Sequence, residues 1–242
     1  HTITIPDSVT SIAYDAFQYC TALQSVTIGD SVTSIGGYAF AGCSALQSVT
    51  IPNSVTDIGN NAFETCTALQ SIVIPDSVTS IGPTAFAGCT ALQSVTIGDS
   101  VTRINSDLFR GCSALQSVTI PDSVTRIDVA AFRYCSALQS IIIPDSVTSM
   151  GDYLCQSCTQ LKTVIIGNGV TTIEGYSFDN CPALDSVTIG DSVTTIGNYV
   201  FRGCSALETI IIPESVISIG SLAFQSSGLV TVYMTYVVVS NL

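Results

Sequence analysis

Nine cysteines, Cys20, Cys43, Cys66, Cys89, Cys112, Cys135, Cys158, Cys181 and Cys204, recur at one constant interval without a slip. So many thiols suggest metal, disulfide or redox chemistry, and the spacing argues against each. A metal cluster needs ligands that converge on one point, whereas an even spacing spreads them along a line. Neighbouring rungs come within disulfide range, yet parallel side chains fit the required torsion poorly. A small buried residue with a weak S–H donor, filling the inside of a turn, accounts for the column, and reduced thiols are expected. Cys155 and Cys158 form a Cys-x-x-Cys, but Cys155 merely replaces a core phenylalanine and lacks the thioredoxin-like setting such motifs need.

The acids also run in a column: Asp7, Asp30, Asp76, Asp99, Asp122, Asp145, Asp191 and Glu214. A ladder of single carboxylates lacks the roughly six to eight oxygens that calcium prefers. An Asx-type turn, with each Asp accepting a backbone N–H two residues on, is the expected role. Basic residues are few. Arg103 and Arg126 share one column in neighbouring repeats and Arg110 and Arg133 share another, making the one positive patch of an acidic chain. Arg is favoured at binding hot spots, so these four are candidate partner contacts; the alternative is a solvated set balancing Asp107, Asp122 and Asp128. Hydroxyls form rows as well. Thr10, Thr33, Thr56, Thr79, Thr102, Thr125, Thr148, Thr171 and Thr194 are unbroken, and Thr33 to Thr194 form a candidate hydroxyl-ladder surface. A second row, with Thr27, Thr50, Thr96, Thr119 and Thr188, is interrupted by Val73, Ile142, Ile165 and Ile211. Such ladders suit ordered water and hence ice binding, or simply strand propensity with hydroxyl bonding along a stack.

Catalysis fails on inventory. The only histidine is His1, so no Ser-His-Asp or Cys-His set can be assembled, and no phosphate-binding glycine loop appears. The acids follow the repeat instead of pairing at one place. No enzyme activity, cofactor or metal is expected.

These columns need a scaffold with the same period. Leu23 to Leu207 repeat at the cysteine interval, as do Phe17, Phe40, Phe63, Phe86, Phe109, Phe132, Phe178, Phe201 and Phe224, broken only at Cys155. In one repeat, Val49 and Ile51 alternate with Ser48 and Thr50, the pattern of a half-buried strand. Pro52-Asn53 turns the chain, a second short strand Val55-Thr56-Asp57-Ile58 follows, and Gly59 turns it again. Asn61 to Cys66 is expected as a helical turn with Ala62, Phe63 and Cys66 on one side. Each coil offers about seven inward apolar groups, too few for a core alone, so the coils must stack at roughly 4.8 Å into one ribbon of core. The expectation is a β-rich α/β solenoid of about ten 23-residue coils, each with a concave-face strand, a second short strand and a helical turn.

No linker interrupts the pattern, so 1–242 reads as one domain with an atypical last coil at 221–242. There Ser227 to Val232 fits only with one residue deleted at the cysteine column, and Tyr236-Val237-Val238-Val239 leaves the pattern. The chain starts inside a strand, His1-Thr2-Ile3, with no signal peptide; a processed chain or a piece of a longer one is expected. An open N-terminal edge also invites end-to-end self-association. A longer period, three coils in length, links Ile3, Ile72, Ile141 and Ile210, Pro6, Pro75, Pro144 and Pro213, and Gly29, Gly98 and Gly167. It reads as duplication history with little chemical meaning.

The phrase from Ala39-Phe40-Ala41-Gly42-Cys43 through Leu46-Gln47-Ser48-Val49-Thr50-Ile51-Pro52-Asn53 to Ile58-Gly59 resembles the BspA-like, or Treponema-type, leucine-rich repeat family. Departures are Cys155, Met150 in an Ile column, and Asn168-Gly169 where most coils read Asp-Ser. The resemblance implies an extracellular or cell-surface protein that adheres to matrix proteins or other cells.

Composition narrows the partners. Charged residues are 10% of the chain, against roughly a quarter in an ordinary domain, so the surface must be mostly Ser, Thr, Gln and Gly. Eighteen acids against six bases give a net charge of −12. That disfavours nucleic acid and anionic membrane, which need a basic stripe, and no apolar run approaches the roughly 20 residues of a membrane span. Three functions compete: a protein or cell-surface ligand binder, a self-assembling structural solenoid, and an ice binder.

Overall fold

The computed structural model describes residues 1–234, so the tail at 236–239 lies outside the described residues. Two kinds of strand alternate along the chain. The first kind runs from Thr2–Thr4 through Ser48–Thr50 to Thr231–Met234, and the second from Ser11–Ile12 through Asp57–Ile58 to Ser218–Ile219. Every pairing is parallel and joins one coil to the next: Ser25 sits opposite Ser48, and Ser34 opposite Asp57. The register advances by one full repeat at each step until the last coil, where Thr209 faces Thr231, the one-residue deletion expected there.

Alternation does what the sequence predicts. In Ser48–Thr50 the central Val49 is buried and its neighbours are exposed. Leu, Val, Ile, Cys and Phe columns close on one another in a single hydrophobic cluster that runs the length of the stack. The phenylalanines stack ring on ring, with centroids 5.1 Å apart for Phe17–Phe40 and 5.7 Å for Phe86–Phe109, nearly parallel. Phe40, Phe63, Phe86, Phe109, Phe132, Phe178 and Phe201 are wholly buried, while Phe17 is only partly covered. Cys155 takes the missing rung and is also buried.

The expected helical turn is not there, and the fold is a β-solenoid without an α layer: no helix occurs among the described residues. Between Gly59 and Cys66 the amides alternate. Ala62, Glu64 and Cys66 donate three residues back, to Gly59, Asn61 and Phe63. Asn61, Phe63 and Thr65 instead donate across the stack, to Pro83, Ala85 and Ala87 of the next coil, at 2.7–3.0 Å. The switch is made by two residues with positive φ, Asn61 (57°) and Thr65 (55°), and the same pair recurs in every coil. Spacing explains it. A helix is about 10–12 Å across with side chains and cannot stack on copies of itself at the roughly 4.8 Å that strand pairing imposes. The segment flattens into tight turns that hydrogen-bond to their neighbours as strands do.

The glycines of the three-coil period sit where the turns of successive coils press together. A Cβ on Gly29 would stand 2.7 Å from the Asp7 carboxylate, and one on Gly98 would stand 2.6 Å from the Pro75 backbone. Glycine in this column lets one turn settle against the turn of the preceding coil, which carries proline at Pro6 and Pro75.

Candidate functional site

The thiol column is occupied by structural bonding. Cys66 donates its S–H to the Phe40 carbonyl at 3.2 Å, Cys89 to Phe63 at 3.2 Å and Cys112 to Phe86 at 3.3 Å. The Phe40 carbonyl also accepts the Cys43 amide at 3.2 Å, so both of its lone pairs are used. Cys181 keeps the pattern by donating to Cys155. All ten cysteines are free. Burial raises the Cys43 thiol to about 11 and Cys112 and Cys204 to about 12, and pushes Cys89, Cys135, Cys155 and Cys181 well up. A nucleophile or metal ligand needs the thiolate, and these sites oppose it. Among the described residues no three His, Cys, Asp or Glu side chains gather as a metal site requires.

The turn acids bond differently from the expectation. For three of them the partner is not the amide two residues on but the turn amide of the next coil. Asp7 accepts from Asp30 N–H at 3.0 Å, Asp76 from Asp99 at 2.9 Å and Asp145 from Asn168 at 2.6 Å. In these three cases the donor follows Gly29, Gly98 or Gly167, whose missing side chain allows the approach. The threonine row is exposed from Thr33 to Thr171 and half-buried at Thr194. Thr33, Thr56, Thr79, Thr125, Thr148 and Thr194 each donate their hydroxyl to the carbonyl of the threonine one coil back, at 3.1–3.4 Å. Thr102 and Thr171 supply two of those carbonyls.

The four arginines divide into two pairs with different surroundings. Arg103 and Arg126 are register partners, and both close on Asp128, at 2.6 Å and 2.7 Å. Asp128 is buried and stands in a column where Gly36, Gly59 and Gly82 occur. Arg110 lies 2.9 Å from Asp107, without the alignment of a hydrogen bond at its buried Nε. Arg133 has no acidic partner among the described residues. Its guanidinium lies over the rings of Tyr134 and Tyr153, 4.6 Å and 5.2 Å from their centroids. A groove of about 250 Å³ beside it is lined by Glu64, Thr65, Gly88, Arg110, Gly111 and Tyr134.

Two features escaped the sequence reading. Arg202, in the column of Arg110 and Arg133, makes a two-pronged pair with buried Asp179 at 2.7 and 2.8 Å. Tyr153, Tyr176 and Tyr199 form an aromatic ladder with centroids 4.9 and 4.7 Å apart. Both were visible as spacings of one repeat.

On the first-strand face the exceptions to threonine are exposed: Val73 (60%), Ile142 (56%), Ile165 (37%) and Ile211 (55%). Ile142 and Ile165 are direct register partners, and Ile211 faces Tyr233. Between them, Thr188 and Ile211 share a groove with Val187, Ile189, Asp191 and Pro213. No helix among the described residues is long and apolar enough to cross a membrane.

Comparison with known proteins places this geometry. The chain is similar to a leucine-rich repeat protein from Bacteroides ovatus, 30% identical, with a TM-score of 0.61 over 93% of this chain and 76% of that one. A leucine rich cell surface protein from Faecalibacterium prausnitzii is 31% identical over 97% of this chain and 79% of that one, with a TM-score of 0.49. The pneumococcal vaccine antigen PcpA shares the fold at 19% identity and a TM-score of 0.56, over 98% and 72% of the two chains. No curated protein matches. The BspA type leucine rich repeat region matches residues 1–115, 58–185 and 130–240, and the chain belongs to that family.

Proposed function

We propose that the protein is an extracellular or cell-surface adhesion solenoid that binds a protein partner through the outer face of its first strands, without catalysis. One observation carries the reading. The apolar row of Ile142, Ile165 and Ile211 is exposed in a column where Thr27, Thr50, Thr96, Thr119 and Thr188 show that the fold accepts a hydroxyl. Packing does not ask for isoleucine there. Exposed apolar surface set among polar groups is what a binding patch looks like. Ile142 and Ile165 are adjacent, Ile211 follows one coil beyond Thr188, and a rigid stacked sheet presents them with little ordering cost. The threonine row speaks for cohesion, since its hydroxyl protons point back into the stack. The test is binding of the purified chain to immobilised matrix proteins. Saturable binding to at least one is expected, and none with a saturable response would remove the proposal.

A further inference from the structure

Resting on that reading of a protein partner, we propose that Arg133, together with the groove lined by Arg110 and Tyr134, receives a single carboxylate from an Asp or Glu side chain of the bound protein. Of the five arginines, Arg103 and Arg126 share Asp128, Arg110 has Asp107 and Arg202 has Asp179. Arg133 alone makes no ion pair among the described residues, and its Nε, like that of Arg110, is buried without a hydrogen-bond partner. Its guanidinium carbon already lies over two tyrosine rings. A guanidinium held this way presents a planar donor edge and gives up little freedom on binding a carboxylate. Tyr134 is exposed and both supports Arg133 and lines the groove, so the two features form one surface. Gly88 and Gly111, with positive φ and no side chain, leave that groove open.

Charge selects the ligand class. The chain carries −12 overall, and Glu64 lines the same groove while Asp107 holds Arg110. A polyanion such as a sulfated glycan would meet these acids along its length. A lone carboxylate on a protein surface meets one free guanidinium.

The experiment is a titration of the isotope-labelled full chain, followed by the Arg133 Nε–H resonance. The probes are a capped Ser-Glu-Ser peptide, its Ser-Gln-Ser counterpart and a heparin tetrasaccharide. A saturable shift with the glutamyl peptide and none with the glutaminyl peptide is expected. Arg133→Gln, read at the Tyr134 amide, and Tyr134→Gly should each weaken binding by about tenfold or more. Both substitutions keep the fold, because Gln18, Gln156 and Gln225 occupy the first column and Gly88, Gly111 and Gly203 the second. The Ile142→Thr, Ile165→Thr, Ile211→Thr chain should respond to the peptide unchanged, which separates this site from the sheet face. No shift, an equal shift with the glutaminyl peptide, or tighter binding to heparin would overturn the proposal.

Discussion

A thiol in all but the last coil looks like chemistry and turns out to be packing that also satisfies a carbonyl. That account has a pH signature. Burial raises the folded-state Cys43 to about 11 and Cys112 and Cys204 to about 12 from an ordinary value of 9.0. Between those limits the unfolded chain has lost protons that the folded chain keeps, so stability falls as pH rises. Chemical denaturation should give a flat stability from neutral pH to about 8.5, then a loss of up to about 1.4 kcal/mol per buried thiol per pH unit. Unchanged stability at about pH 10.5 would refute the assignment. That the column was packing could be read from its even spacing. Its acceptor could not, because the Phe40 carbonyl lies 26 residues before Cys66 and is reached only across the stack. The same limit hid the sharing of Asp128 by two arginines. Their common column was legible, but the burial of an Asp in a glycine column was not.

Strands were legible because alternation and β-branched residues speak directly to their period, whereas the segment from Asn61 to Cys66 was misread as a helical turn. Apolar groups at Ala62, Phe63 and Cys66 fit a helix locally, and only the spacing between coils forbids it. Positive φ at Thr84 (58°) and Gly111 (75°) is the cost of the flat alternative. Thr84→Gly should therefore stabilise the protein by about 1 kcal/mol, the order of the left-handed penalty for a residue with a Cβ. Gly111→Ala has open space around its new methyl, with nothing nearer than 3.8 Å, and should lose about 1 kcal/mol for the same backbone reason. Gly98→Ala is different in kind. Its methyl would press on the Pro75 backbone and should cost about 1–3 kcal/mol as overpacking does. Denaturant titrations rank the three, and a Gly98→Ala as mild as Gly111→Ala would contradict the close seating of these turns.

Across the whole molecule, stability is a chain of contacts between neighbouring coils, so position along the stack matters. Phe86 is buried between Phe63 and Phe109, with centroids at 5.4 and 5.7 Å, whereas Phe17 stacks on Phe40 alone. Phe86→Ala should cost about 3–5 kcal/mol and Phe17→Ala clearly less, in the same denaturation experiment. Function lies in what these columns leave over. The isoleucines of the first-strand face were read from the sequence as interruptions of a hydroxyl row. Their exposure and pairing make them the better candidate for a contact surface. The most direct test compares the intact chain with the Ile142→Thr, Ile165→Thr, Ile211→Thr variant for affinity to any matrix protein that gives saturable binding in the proposed assay. Equal thermal stability with at least about a tenfold loss of affinity, roughly 1.4 kcal/mol, is predicted; equal affinity in a folded variant would contradict the claim that this face does the binding.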